Sequence, residues 1–229
     1  MAGVDEAGRG SLAGPLLAAG VLIDLERIGT RERRALARLD DSKQKSAEER
    51  EELYPHVIRA AACVTVAVRS VRAIDRFGLH VSNLGALTDC MHVVAPEEAT
   101  RLVDGFRLPN CTLEHTPVVD GDARSAAIAA ASVIAKVTRD RYMHRAAELH
   151  PDWGFAENVG YSTPEHREAI IANGICPLHR RSFASIAYSQ LELGSDGESS
   201  EGVADVIDIR EAIAAEADPD DVEAIAGNG

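Results

Sequence analysis

The sequence predicts an α/β fold. Apolar segments typical of strands alternate with longer segments of helical spacing through the first 190 of the 229 residues. Three of the predicted strands end in acidic residues beside glycine or another small residue. An alanine-rich helical segment follows the last of these strands, and its small side chains allow close packing on a sheet. These observations place acidic groups at the edge of a sheet that is covered by a central helix.

The first predicted strand, residues 2–6, ends in two acids and a glycine-rich turn. Asp5 and Glu6 are followed by Gly8, Arg9 and Gly10. Adjacent strand residues face opposite sides of a sheet, so the two acids cannot both lie in its interior. Oxygen ligands are the ones that Mg²⁺ and Mn²⁺ prefer, which makes the pair a candidate cation site. An isolated Asp-Glu pair is more often only a polar strand end.

The turn also fits the loose dinucleotide-binding pattern G-x-G-x-x-A over residues 8–13. That motif must open a helix whose N-terminus holds the pyrophosphate. Here Gly14-Pro15 interrupts the chain, and residues 15–23 are predicted to form a second strand. Two strands joined by a glycine turn favour a hairpin over a dinucleotide site.

The middle of the chain is predicted to alternate between helices and strands. Ser46, with Glu49 three residues later, is typical of a capping box that starts a helix reaching about residue 61. The other predicted elements are an arginine-rich loop or short helix at 24–40, a strand at 62–69, a helix at 73–94, a strand at 101–104 and a strand at 116–120.

The last third is predicted to be mainly helical. A long helix is expected over 124–149, a loop over 153–160, and a helix from Thr163-Pro164 to Asn173-Gly174. A compact basic cluster is predicted at 179–183.

The charge is unevenly distributed. The net charge of −13 comes mainly from residues 191–229, which contain 12 acids and a single arginine. The preceding 190 residues carry a net charge of only −2. A nearly neutral body can present a local basic groove to nucleic acid, because local charge attracts phosphates. We therefore predict one domain over residues 1–190 and an acidic, mobile C-terminal tail over 191–229.

Cysteine usage and hydropathy indicate a cytoplasmic protein. The four cysteines are widely spaced without a C-x-x-C pair, which favours reduced thiols over zinc ligands or disulfides. No apolar run approaches the ~18 residues of a membrane span, so no membrane partner is expected. Because a strand is predicted from residue 2, we also expect no signal peptide.

Convergence of the strand-end acids predicts metal-dependent chemistry on phosphodiesters. Asp5, Glu6 and Asp104 lie at the ends of predicted strands, and Asp122 follows one closely. Four carboxylates at one sheet edge repel one another unless cations neutralise them. Two Mg²⁺ or Mn²⁺ ions about 4 Å apart would do so, and would serve the hydrolysis of a phosphodiester.

Several motifs together resemble type 2 ribonuclease H (ribonuclease HII) in its bacterial form. The resemblance covers residues 3 to about 188, keeps the family's order and leaves out the acidic tail. The motifs are Asp5-Glu6-Ala7-Gly8-Arg9-Gly10, Asp41-Ser42-Lys43, Val103-Asp104-Gly105, Gly121-Asp122, the helix segment 129–140, Gly160-Tyr161-Ser162-Thr163 and His179-Arg180-Arg181-Ser182-Phe183.

The resemblance implies a ribonuclease H-like fold, with a mixed five-stranded sheet flanked by helices. It implies an endonuclease that cuts the RNA strand of RNA/DNA hybrids and nicks 5′ of a single ribonucleotide in duplex DNA. The products would carry 3′-hydroxyl and 5′-phosphate ends. The family's catalytic, metal-binding carboxylates map to Asp5, Glu6, Asp104 and Asp122, whereas Asp140 is interpreted as structural.

The resemblance also implies the substrate contacts. Selecting RNA requires recognition of the 2′-hydroxyl, by backbone groups of Gly8, Arg9 and Gly10 with the help of Tyr161. Glycine suits close approach of the backbone to a sugar. The candidate phosphate contacts are Ser42, Lys43 and Lys136, of which the last could equally support the carboxylates. A monomer is expected, and contact with a replication clamp is left open.

Two departures and two alternatives accompany this interpretation. Asp120 stands where many relatives have lysine, which adds negative charge beside the site, and Ser162 stands where proline or glycine is common. Ribonuclease HIII shares the fold, but Arg9 in place of lysine and the early first strand favour HII. A catalytically silent hybrid-binding protein is the other alternative, and retention of four acids argues against it.

Overall fold

The computed structural model describes residues 1–39 and 45–183. The chain divides into two compact units, the first comprising Met1–Gly10 and Gly14–Arg139, the second Ser11–Ala13 and the residues from Asp140 onward. The predicted contacts Ser42 and Lys43 and the predicted tail over 191–229 lie outside the described residues.

The first unit contains the predicted mixed sheet of five strands. The strands are β1 (Ala2–Ala7), β2 (Leu16–Leu22), β3 (Cys63–Arg69), β4 (Arg101–Asp104) and β5 (Thr116–Val118). Their order across the sheet is β3-β2-β1-β4-β5. β1, β2 and β3 pair antiparallel as a meander, whereas β4 and β5 run parallel to β1. The acid-bearing ends of β1 and β4 consequently meet at the same edge.

The helices associated with the first unit are α1 (Thr30–Ala37), α2 (Ala47–Ala60), α3 (Val71–Phe77), α4 (Leu79–Val94), α5 (Gly121–Arg124) and α6 (Ala126–Leu149), of which α6 extends beyond Arg139. The predicted capping box is confirmed. The Ser46 hydroxyl accepts the Glu49 N–H at 3.2 Å, and the Glu49 carboxylate accepts the Ser46 N–H at 2.8 Å. This reciprocal pair satisfies two N–H groups that the first turn leaves without partners.

Two predicted boundaries are wrong. The single helix expected over 73–94 is two helices, because Ser70 caps an earlier start and the chain breaks at Gly78, whose φ is +83°. The strand expected over 116–120 ends at Val118, since Asp120 adopts a left-handed conformation and the short helix α5 follows.

Helices pack on both faces of the sheet. On one face Val4, Leu16 and Val103 form a core with Leu87 and Met91 of α4. On the other face the alanine-rich part of α6 packs with strand residues and with α2. A Cβ on Gly3 of β1 would lie 2.4 Å from the backbone carbon of Ala127, so the helix approaches the strand as closely as glycine permits. The predicted close packing of the alanine-rich helix is confirmed.

The second unit contains the end of α6, α7 (Phe155–Asn158), α8 (Pro164–Asn173) and two 3-10 turns, Pro151–Trp153 and Arg181–Phe183. The stretch predicted as a loop over 153–160 therefore contains helical turns. Thr163 caps α8 as predicted, because its hydroxyl accepts the His166 N–H at 3.2 Å. Within the basic cluster at 179–183, His179 and Arg180 are buried.

Two further properties concern the same described residues. Cys63, Cys90, Cys111 and Cys176 are all free thiols. None of the helices within residues 1–39 and 45–183 combines the length and the apolar character that crossing a membrane requires.

Candidate active site

The register of β1 and β4 brings two of the predicted acids side by side. Val4 pairs with Val103 in the parallel ladder, so Asp5 and Asp104 occupy the next positions on neighbouring strands. Alternation along a strand turns Asp5 and Asp104 to the face opposite the two valines. The valines pack in the core that includes α4, so the acids face the side of the sheet that α6 covers.

Asp104 is hydrogen-bonded to the segment that carries Asp122, the fourth predicted acid. The Gly121 N–H donates a hydrogen bond of 2.8 Å to Oδ1 of Asp104, at the start of α5. Asp122 follows directly and is buried. It lines a cavity of about 320 Å³ whose wall also includes Arg33 and Arg124. The strand end and the start of α5 are thus joined at the Asp104 carboxylate.

The environment of Asp5 shows that negative charge accumulates at this edge. Its side chain is buried, accepts the Glu6 N–H at 2.7 Å and is hydrogen-bonded to Ser132 of α6. Burial first, and then the nearby carboxylates of Glu6 and Asp104, together raise the pKa of Asp5 to about 8, against the lowering effect of its hydrogen bonds. Because the ionised form is disfavoured here, a cation held by these carboxylates would relieve the repulsion.

The donor chemistry of this edge fits a hard divalent cation. Asp5, Glu6 and Asp104 interact electrostatically and offer carboxylate oxygens, which Mg²⁺ and Mn²⁺ prefer. Within residues 1–39 and 45–183, however, no three His, Cys, Asp or Glu side chains lie close enough together to hold a metal ion as they stand.

Ser132 of α6, the hydrogen-bond partner of Asp5, was not among the predicted site residues. The sequence does indicate it in one way, because Ser132 is a polar residue within an alanine-rich run that faces the sheet. Lys136, a candidate phosphate contact, follows Ser132 by one helical turn and is half-buried. Residues four apart share a helix face, so Lys136 lies on the side of α6 that carries the Asp5 partner.

The glycine turn after β1 packs against a buried arginine of α6. Arg139 of α6 is fully buried, and its Nε donates to the Pro15 carbonyl at 3.0 Å. A Cβ on Gly8 would lie 2.0 Å from this same Nε, and Gly8 has a φ of +83°. Gly10 is exposed, and a Cβ there would meet nothing within 4 Å. Packing therefore requires glycine at the first position of the turn only.

Arg9, between the two glycines, has a half-exposed side chain. Its guanidinium lies 3.8 Å from the Glu6 carboxylate. Its Cζ also lies 5.3 Å from the centroid of the Phe106 ring, two residues after Asp104. The contact with Phe106 could not be predicted from the sequence, because it depends on the neighbouring positions of β1 and β4.

Tyr161 belongs to the second unit and stands in a tightly bonded turn. Its N–H donates to the Asn158 carbonyl at 2.8 Å, and the Asn158 side chain accepts the Gly160 N–H at 2.7 Å. Its own carbonyl accepts a hydrogen bond from Nδ1 of the buried His166 at 2.8 Å. The turn is thus fixed on both sides of the tyrosine.

A buried histidine pair continues this network. Since Nδ1 of His166 donates to Tyr161, its Nε2 is the acceptor for Nε2–H of His179, at 3.1 Å. Nδ1 of His179 in turn accepts the Cys176 N–H at 3.0 Å. Burial lowers the pKa of His166, and burial together with the neighbouring His166 lowers the pKa of His179 to about 3. Both rings are neutral in the folded protein near pH 7.

Acidification from pH 7 to pH 5 is expected to destabilise the protein through this pair. The unfolded chain binds protons at its histidines below their ordinary pKa of 6.5, whereas the folded protein keeps His179 neutral down to about pH 3. Stability therefore falls as the pH falls through 6.5, by about 2 kcal/mol at pH 5 for His179 alone. The raised pKa of Asp5 acts in the opposite direction over the same pH range. The loss is therefore measured as the difference between the wild type and a variant without His179, by thermal unfolding monitored by circular dichroism at the two pH values.

The matched variants for this test are His179→Asn and His144→Asn. Asparagine at 179 keeps an acceptor for the Cys176 N–H but cannot titrate, so the change in stability from pH 7 to pH 5 should be less unfavourable in this variant than in the wild type. His144 is exposed on the same unit, and its replacement should leave the wild-type pH dependence intact. Equal pH profiles for wild type and His179→Asn would contradict this account.

The fold and the acidic edge define a class of enzyme with known structural relatives. The chain is similar to ribonuclease HII of Archaeoglobus fulgidus, solved in complex with PCNA, with a TM-score of 0.70 and 28% identity over 83% of this chain and 96% of that one. It is similar to ribonuclease H2 of Pyrococcus horikoshii, with a TM-score of 0.64 and 27% identity over 79% and 92% of the two chains. The class is that of the ribonucleases H.

The family follows from the sequence comparisons. The family model for ribonuclease HII matches residues 2–186. Ribonuclease HII of Rhodococcus erythropolis is 43% identical over 84% of this chain and 83% of its own length. That of Mycobacterium tuberculosis is 44% identical over 81% of this chain and 69% of its own length. The chain belongs to the ribonuclease HII family and is a ribonuclease H, which decides against the HIII alternative.

Proposed function

We propose that this ribonuclease H cuts the RNA strand of RNA/DNA hybrids and nicks duplex DNA on the 5′ side of a single embedded ribonucleotide. Membership of the ribonuclease HII family supports the substrate class. The observation that carries the proposal is the meeting of Asp5 and Asp104 on adjacent parallel strands, with the pKa of Asp5 raised to about 8. Such a concentration of acidic groups is expected at a site whose charge is balanced by cations.

The proposed metal ligands are Asp5, Glu6, Asp104 and Asp122, with Mg²⁺ or Mn²⁺ as the ion. Two divalent cations held by such carboxylates supply activation of the attacking water and stabilisation of the departing 3′ oxygen. The chain's own contribution is to orient Asp5 through Ser132 and to orient Asp104 through the Gly121 N–H. The products are expected to carry 3′-hydroxyl and 5′-phosphate ends.

Selection of ribose is proposed for the Gly8–Gly10 turn and Tyr161. The 2′-hydroxyl both donates and accepts hydrogen bonds, so backbone groups of the turn and the tyrosine hydroxyl suit its recognition. The open space at Gly10 supports close approach of a sugar to the backbone. Lys136, with Ser42 and Lys43, is proposed to contact phosphates.

The cellular role proposed here is ribonucleotide removal during replication and repair by a monomer in the cytoplasm. The Archaeoglobus relative was solved with PCNA, and on that precedent we extend the proposal to a replication clamp as a protein partner. Gel filtration of this chain with and without the clamp of its host measures that association, and separate elution of the two proteins would reject it.

The experiment that tests the proposed function uses an end-labelled duplex containing one ribonucleotide. With Mg²⁺ or Mn²⁺ we expect a single nick on its 5′ side, and with EDTA no nick. An all-DNA duplex of the same sequence is the matched substrate control. Cleavage of that control, or cleavage that persists in EDTA, would overturn the proposal.

A further inference from the structure

An arginine–aromatic cluster borders the acidic edge, formed by Arg9, Phe106 and His80. Arg9 leaves β1 three residues after Glu6, and Phe106 leaves β4 two residues after Asp104. The Arg9 Cζ lies 5.3 Å from the Phe106 ring centroid. The His80 ring lies on the same phenylalanine, with centroids 6.0 Å apart and an interplanar angle of 47°. The cluster therefore joins the ends of both acid-bearing strands.

The position of Phe106 is fixed by its backbone. Its N–H donates to the Asp104 carbonyl at 3.0 Å, and the preceding Gly105 N–H donates to the Val118 carbonyl at 2.9 Å. The Phe106 ring is half-buried and contacts the His80 ring. An aromatic face in this position attracts a neighbouring cation.

Arg9 contacts Glu6 and Phe106 in different ways. The ion pair with Glu6 spans 3.8 Å, which is long for a charge-assisted hydrogen bond, and Glu6 is one of the proposed metal ligands. The contact with Phe106 places Cζ 5.3 Å from the ring centroid and does not depend on the charge state of Glu6. A guanidinium can contact an aromatic ring and still donate its N–H groups to an anion.

We propose that Phe106 is a positioning residue, which holds the Arg9 guanidinium beside the acidic edge so that it binds a backbone phosphate of the strand to be cut. The inference rests on the proposed function. A row of carboxylates repels a polyanion, and a cation fixed next to them offsets this repulsion at the point of binding. Arginine is suited to the task because its planar fork binds phosphate with two hydrogen bonds.

The test compares Phe106→Leu with Phe106→Tyr, which keeps an aromatic face. Phe106→Leu is expected to raise both KM and the Kd for an uncleaved hybrid in EDTA by ~3- to 30-fold, the range of a cation–π contact, with kcat changed less than twofold. Phe106→Tyr should restore wild-type values. Should Phe106→Leu fail to fold, Phe106→Met keeps the volume without the ring and carries the same expectation.

Two controls separate positioning from general effects. The first control is Phe77→Leu. The exposed Phe77 ring lies 5.0 Å from Cζ of Arg76, and neither residue belongs to the proposed site. Loss of this contact should leave KM and Kd unchanged. In an Arg9→Gln background, Phe106→Leu should have no further effect, because its action passes through Arg9.

The outcomes distinguish this inference from the proposed function. Absence of nicking by the wild-type protein would reject the proposed function. Normal KM and Kd for Phe106→Leu, with an active wild type, would overturn only the role of Phe106. Additive effects of Arg9→Gln and Phe106→Leu would likewise overturn it, because two independent contacts would then be present.

Discussion

Asp5→Asn and Asp104→Asn are each expected to reduce cleavage of an RNA/DNA hybrid by at least ~10³-fold, more than the loss of a single transition-state donor costs. Asparagine keeps the shape of aspartate but removes the charge that would hold a cation. Asp5 and Asp104 occupy matching positions on adjacent strands, so either change removes one of the two carboxyl groups that would hold a cation at the same point of the sheet edge. Single-turnover cleavage with labelled hybrid and Mg²⁺ measures the loss.

This loss of activity is not expected to come from unfolding. The ionised form of Asp5 is disfavoured in the folded protein, since burial and the neighbouring carboxylates of Glu6 and Asp104 raise its pKa to about 8. A neutral amide therefore removes an electrostatic cost at neutral pH. Hybrid binding in EDTA, followed by fluorescence anisotropy, should persist in both variants.

Asp152→Asn is the matched control for the two active-site variants. Asp152 is exposed, lies in the second unit and is not one of the proposed ligands. Its turnover should equal that of the wild type. Near-normal turnover by Asp5→Asn or Asp104→Asn would count against the assignment of the site.

The second large effect is expected at the glycine turn, where Gly8→Ala and Gly10→Ala should differ sharply in stability. A Cβ at Gly8 meets the buried Arg139 Nε at 2.0 Å and the Pro15 carbonyl at 2.8 Å, and the φ of +83° is unfavourable for alanine. We expect Gly8→Ala to lower the free energy of unfolding by about 2–5 kcal/mol, from strain and overpacking together. Denaturant unfolding measures this change.

Gly10→Ala separates the requirements of packing from those of the substrate. A Cβ there meets nothing within 4 Å, so the free energy of unfolding should change by less than ~0.5 kcal/mol. If the backbone at Gly10 approaches the ribose, cleavage should nevertheless fall. Unchanged cleavage by Gly10→Ala would remove Gly10 from the proposed substrate contacts, and wild-type stability of Gly8→Ala would contradict the packing argument.

Much of the fold could be predicted from patterns of neighbouring residues in the sequence. The Ser46 capping box, the Thr163 cap and the strands at residues 2–6 and 62–69 depend on neighbouring residues, and all appear in the structure. The break at Gly78 was missed because apolar spacing continues across it. A single glycine within a helical pattern does not by itself decide between a kink and an ordinary helix position.

Long-range contacts were predicted from the sequence only in part. The acids at the ends of predicted strands, Asp5 and Asp104 among them, were expected to converge at one sheet edge, and the strand order β3-β2-β1-β4-β5 brings these two side by side. The contact of Arg9 with Phe106, across about a hundred residues of chain, has no local signal because it depends on that strand order. The burial of His179 and Arg180 likewise depends on contacts between distant residues, and their charge pattern does not indicate it.

The most direct test of the central claim is anomalous diffraction from crystals soaked in Mn²⁺. We expect a manganese peak ~2.1 Å from carboxylate oxygens of both Asp5 and Asp104, with the Glu6 and Asp122 side chains turned toward the ions. The same peak should be absent from crystals of Asp5→Asn. Manganese bound elsewhere, with these four carboxylates unoccupied, would contradict the assignment of the sheet edge as the catalytic centre.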